Sequence, residues 1–169
     1  MPDTERIVID TAPLISLVAA LGDLKVLHSL YSQVLVPFEV CQEILNGGSS
    51  GFAVAEFEAA DWLRKCPTPL EISPPLLIPS LDRGEASVIQ LAINEKVKTV
   101  CIDETIGRRV AKLNGLSITG SIGILLRAKK EGYSFSMQEA IQRMKNRNIR
   151  LSEKVVSFAL SKAGESDEC

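Results

Sequence analysis

Two aspartates in this chain each close a short apolar run. Asp10 follows Arg6-Ile7-Val8-Ile9 and Asp103 follows Thr99-Val100-Cys101-Ile102. Runs without alternation read as strands buried on both faces. If those strands are parallel, right-handed crossovers carry their C-terminal ends to one edge of the sheet. Asp10 and Asp103 then become near neighbours. Like charges a few ångströms apart in a low-dielectric crevice are tolerated when one is protonated or when a cation lies between them. Hard divalent ions take oxygen ligands, and Mg²⁺ uses one or two carboxylates together with substrate phosphate and water. The chemistry expected of this pair is a Mg²⁺ or Mn²⁺ site. The alternative is that each acid only caps the helix after its strand.

Further acids can reach the same edge. In Val36-Pro37-Phe38-Glu39-Val40-Cys41-Gln42-Glu43, Glu39 and Glu43 are four apart and share a helix face, with Glu43 a turn deeper. In Leu81-Asp82-Arg83-Gly84-Glu85-Ala86, Glu85 begins the most apolar helix of the chain. Its other reading is specific: Asp82 as N-cap and Glu85 three residues on make a capping box.

The elements that must position these residues alternate. Strands are expected at Arg6–Asp10, Val34–Val36, Thr99–Ile102 and Ser117–Thr119, with a further short one at Leu70–Ile72. Helices are expected over 14–21, 24–32, 37–45, 52–65, 82–95, 105–113, 121–130, 136–147 and 152–162. Gly22 and Gly132 act as stops, and Ser136 with Glu139 as a capping box. Strands alternating with helices imply a mostly parallel sheet covered on both faces, with ligands collecting at the strand C-termini.

Composition removes other classes. The 169 residues are 46% hydrophobic and 24% charged, which excludes wholesale disorder and fits one domain. No apolar stretch approaches the roughly 18 residues of a membrane span. The N-terminus is polar, without a cationic region followed by an apolar run, so no secretory signal is expected and a cytoplasmic setting fits. The cysteines, Cys41, Cys66, Cys101 and Cys169, form no CxxC pair, which argues for reduced thiols and against zinc. His28 is the single histidine and sits in an apolar helical segment, which argues against Ser-His-Asp and Cys-His hydrolases. Trp62 reads as a core or interface anchor. Neither a P-loop nor a dinucleotide fingerprint is present. The net charge is −2, yet residues 127–154 hold eight bases against three acids, a local basic face able to attract polyanions or merely a solvated helix.

With those residues set out, the chain resembles the PIN-domain family, in particular its small prokaryotic branch related to VapC-type toxin ribonucleases. The resemblance rests on Val8-Ile9-Asp10-Thr11, Val36-Pro37 with Glu43, Leu81-Asp82-Arg83-Gly84-Glu85-Ala86, Ile102-Asp103-Glu104, Ala111, and Gly120-Ser121-Ile122-Gly123-Ile124-Leu125-Leu126 with Ala128-Lys129 and Gly132. It spans roughly residues 6–135, in order.

The resemblance implies a three-layer α/β/α sandwich with a mostly parallel central sheet. Residues 1–135 would form the PIN-like nuclease domain and 136–169 a C-terminal helical extension packed on it. It implies a metal-dependent endoribonuclease acting on single-stranded RNA. Asp10, Glu43, Glu85 and Asp103 are the expected catalytic and metal-binding acids. Glu104 stands where relatives often carry Asp, so it is a secondary candidate with Asp82 and Thr11. Mg²⁺ or Mn²⁺ is the expected cofactor. Arg83, Arg108 and Arg109 are expected to hold RNA phosphates, with salt bridges to neighbouring acids as their other reading. A homodimer is expected, and an antitoxin protein if the chain is the toxin of a pair. The rival expectation is a PIN-like protein-binding module with a weak or inactive site.

Overall fold

A computed structural model describes residues 5–47 and 51–165. Its centre is a five-stranded sheet in the order β3-β2-β1-β4-β5, with every pairing parallel. The strands are β1 (Arg6–Ile9), β2 (Gln33–Val36), β3 (Arg64–Lys65), β4 (Thr99–Cys101) and β5 (Ser117–Thr119). Ile7, Val8 and Ile9 are fully buried, as are Leu35, Val36, Val100 and Cys101. These central strands are apolar on both faces because helices cover both.

The helices are α1 (Thr11–Leu21), α2 (Lys25–Leu30), α3 (Phe38–Leu45), α4 (Val54–Ala59), α5 (Arg83–Glu95), α6 (Thr105–Leu113), α7 (Ser121–Lys130), α8 (Met137–Asn146) and α9 (Glu153–Lys162). α5 packs on β1, β4, α3 and α6, while α1 packs on α7 and α8, and α9 on α7 and α8. The expected three-layer α/β/α sandwich is the one found.

The strand order matters for function. From β1 the chain moves outward through β2 to β3, then returns across the sheet through α5 to β4 on the other side of β1. The reversal lies between β1 and β4, and a crevice opens at such a point outside the strand C-termini. β1 and β4 are in register through Ile9↔Cys101, and the Asp10 amide donates to the Cys101 carbonyl at 3.0 Å. Asp10 and Asp103 therefore leave neighbouring strands at the same edge.

Two expected elements differ. The helix expected over 52–65 is cut to Val54–Ala59, and Arg64–Lys65 pairs with β2 instead. The Cys66 amide also donates to the Val36 carbonyl at 2.9 Å. The open edge of β2 offers backbone groups that this segment satisfies, and that outweighs its helical pattern. The strand expected at Leu70–Ile72 is not formed. There the Leu70 amide donates to the Glu39 carboxylate at 3.1 Å and the Ser73 amide to the Gln90 side chain at 2.8 Å, followed by a 3₁₀ turn at Pro74–Leu76. Side chains replace a ladder along this proline-rich connection.

Candidate metal-binding site

Asp10 occupies the N-cap of α1, yet its side chain makes no capping hydrogen bond. It is only 6% exposed. Burial is the largest influence on its acidity. The Thr11 amide opposes it, and repulsion from Asp82, Glu43 and Glu85 adds to it, pushing the Asp10 pKa up to about 8. This is a buried carboxylate with acids around it and, among the described residues, no ion pair.

Glu43 comes from α3 and is steered by two neighbours. The Thr11 hydroxyl donates to its Oε2 at 2.8 Å. Its other oxygen lies against Gly84, where a Cβ would collide with it. Gly84 stands in the first turn of α5, a position where Ala would favour the helix more. The lost helix propensity keeps room for the Glu43 carboxylate. Partial burial raises the Glu43 pKa, with Thr11 pulling against it and Asp82 adding repulsion.

Glu85 and Asp82 form the capping box that their spacing allows. The Glu85 amide donates to Asp82 Oδ1 at 2.8 Å, and the Asp82 amide to Glu85 Oε2 at 3.3 Å. Glu85 is nevertheless only 4% exposed. Its pKa is pushed up to about 7, first by burial and then by Asp82, against the Asp82 backbone hydrogen bond. Glu104 raises it further by repulsion and by a side-chain hydrogen bond, which needs a proton on one of the two carboxyls. Glu104 also caps α6, its Oε2 accepting from the amides of Ile106 at 2.8 Å and Gly107 at 3.0 Å.

Asp103 is turned toward the start of α7. Its Oδ1 accepts from the Ser121 amide at 2.7 Å and its Oδ2 from the Ser121 hydroxyl at 2.9 Å. A helix N-terminus suits a carboxylate. Gly120 allows the approach: a Cβ there would lie 2.6 Å from Asp103 Oδ1 and 2.9 Å from Arg108 Nη1. Arg108 is tied to the Ile102 carbonyl at 2.9 Å. Arg83 and Arg109 are exposed.

The structure thus gathers Asp10, Glu43, Asp82 and Glu85 into one electrostatic group, with Glu104 joined through Glu85, while Asp103 lies two residues past the end of β4 and is held by Ser121. Asp103 and Glu104 also line a neighbouring cleft of about 840 Å³, together with Ile149–Ser152, Val155 and Phe158. The basic span 127–154 includes Arg150, but sequence reasoning did not find Val155 and Phe158, which carry no motif. It also missed Ser121 as the support of Asp103, although the hydroxyl at the start of a helix after a strand was a readable signal. Among the described residues no three acids already converge as a ready metal-ligand set. Donor type and charge do fit a hard divalent ion, because the four expected ligands are carboxylates and Asp10 has no ion-pair partner among the described residues. Among the described residues no helix is long and apolar enough to cross a membrane.

A family model described as a PIN domain matches residues 6–165. PIN domains are in general metal-dependent nucleases that use divalent ions. No curated protein matches the chain.

Proposed function

The chain belongs to the PIN-domain family, and from that membership we propose that it is a Mg²⁺- or Mn²⁺-dependent endoribonuclease of single-stranded RNA. The observation that carries this reading is Asp10: a buried carboxylate at the reversal point of the sheet, crowded by Glu43, Asp82 and Glu85.

Asp10, Glu43, Glu85 and Asp103 would hold the ion. When bound, it lowers the pKa of coordinated water and neutralises charge on the scissile phosphate. The chain's own residues orient this set. Thr11 fixes Glu43 through its hydroxyl, and Ser121 fixes Asp103 through two hydrogen bonds. Whichever of Glu43 and Glu85 reaches the ion only through bound water would accept the proton from the attacking water. In-line attack leaves a 5′-phosphate and a 3′-hydroxyl. Arg108, held at the end of β4, and exposed Arg83 and Arg109 supply phosphate contacts that give affinity without sequence choice.

We further read the protein as cytoplasmic, consistent with the free thiols Cys41, Cys66 and Cys101. We read it also as a homodimer, and as a toxin whose partner is an antitoxin protein. The second reading is a PIN-like protein-binding module with a weak site. It draws on the engagement of Glu85 and Glu104 in helix caps. Cleavage of a labelled single-stranded RNA under Mn²⁺ titration separates the two. The nuclease reading expects divalent-dependent cleavage by wild type, falling below about 1% in Asp10→Asn. No cleavage in either protein would leave the binding module.

A further inference from the structure

The cleft beside Asp103 is built from both ends of the chain. Asp103, Glu104 and Arg108 form one end, and Ile118, Ile122 and Leu126 contribute apolar surface. Ile149–Ser152, with Val155 and Phe158 of α9, form a further part of its wall. α9 buries Ala159 fully but leaves Val155 37% and Phe158 53% exposed. The two lie three residues apart, so they share a helix face. Lys162 Nζ stands 5.9 Å from the centre of the Phe158 ring, and exposed Arg150 lies on the same wall.

We propose that this cleft is a subsite for one nucleotide of the RNA strand, with its base against Phe158 and its phosphate near Arg150 and Lys162. Three observations favour this occupant. The volume of about 840 Å³ falls within the roughly 300–1,000 Å³ of small-molecule sites. The wall combines an exposed aromatic ring with cations, which suits a flat base joined to an anion. The cleft also runs directly to Asp103 and Glu104, so a strand whose phosphate lies at the acids has its neighbouring base within the cleft. Arg150 is the cation that lines the cleft with Phe158, so the phosphate of the nucleotide stacked there would be held at Arg150.

The inference rests on the nuclease reading and is tested apart from it, by binding without catalysis. Full-length protein in EDTA is titrated into a short single-stranded oligoribonucleotide carrying 2-aminopurine, and its fluorescence and anisotropy are read. Wild type is expected to bind and to change the probe's fluorescence through stacking. Phe158→Ala is expected to bind about 5- to 100-fold more weakly and Phe158→Trp to restore binding. Arg150→Ala is expected to lower the salt dependence by about one phosphate contact. Because Phe158 is half exposed, a melting curve for each variant checks that folding is intact.

If wild type binds RNA and Phe158→Ala binds it equally well, the subsite is overturned while the nuclease reading stands. If wild type leaves the probe unchanged, the cleft serves another occupant, such as an apolar protein side chain, and the inference is overturned. Divalent-dependent cleavage measured in parallel reports separately on the nuclease reading.

Discussion

A carboxylate buried without a counter-charge makes a measurable demand on pH. Asp10 and Glu85 have pKa values raised to about 8 and about 7, above the ordinary 3.8 and 4.5. Between those limits the folded protein holds protons that the unfolded chain has released. Stability from these groups is therefore complete below about pH 4 and is lost as pH rises toward 8. Metal-free protein is expected to melt at progressively lower temperature between pH 5 and pH 8.5 once other groups are matched with an Asp10→Asn control. Asp10→Asn in EDTA at pH 8 should melt about 4–8 °C higher than wild type, on the order of 2 kcal/mol. An unchanged melting point would remove the crowding from the account.

The supports of the acids have their own predictions. Gly84→Ala places a methyl where the Glu43 carboxylate now lies. Ser121→Ala removes one of two hydrogen bonds to Asp103. Each is expected to weaken divalent-ion affinity about 10- to 100-fold with the fold intact. The measurement is Mn²⁺ affinity by calorimetry beside a circular dichroism melt.

At the scale of elements, Glu165 ties the end of α9 to the start of α8 and to α7. Glu165 accepts from the Met137 amide at 2.7 Å, the Gln138 amide at 3.2 Å and the Ser136 hydroxyl at 3.2 Å. It also pairs with Lys129 at 2.8 Å. Burial opposes its ionisation, but Lys129 and these donors bring its pKa down to about 2. A depressed acid stabilises above its unfolded pKa, so this clamp is complete above about pH 4.5 and is lost as pH falls toward 2. Glu165→Gln is expected to destabilise by about 1–2 kcal/mol at pH 7 and to have little effect near pH 2. Urea unfolding at the two pH values distinguishes this from a uniform loss.

The elements also mark where the sequence was legible. β1 and β4 are apolar runs ending in acids, and the Asp82–Glu85 spacing foretold its own cap, so the edge and its carboxylates were readable residue by residue. β3 was not readable, because two polar residues become a strand only through the free edge of β2. The Leu70 segment was misread because its amide is satisfied by Glu39, more than thirty residues away. Phe158 carries no local pattern that marks a cleft wall; tertiary packing alone brings it into one cleft with Asp103.

Across the whole molecule, one fold joins a sheet reversal, a group of acids and the basic span 127–154. The exposed Leu113, Ile106 and Ile93 on neighbouring α6 and α5 offer apolar surface for the expected homodimer. Light scattering at ~100 μM should give twice the chain mass. A strict monomer at that concentration would remove the dimer.

The central claim is that the carboxylates around Asp10 tolerate one another by sharing a divalent ion. Mn²⁺ titration followed by electron paramagnetic resonance tests it most directly, because bound ion disappears from the free-ion signal. Wild type is expected to take up the ion saturably at pH 8 and more weakly at pH 5.5, where Asp10 and Glu85 are protonated, and Asp10→Asn to bind it with at least about 10-fold lower affinity. Equal uptake by wild type and Asp10→Asn, or none by wild type, would contradict it.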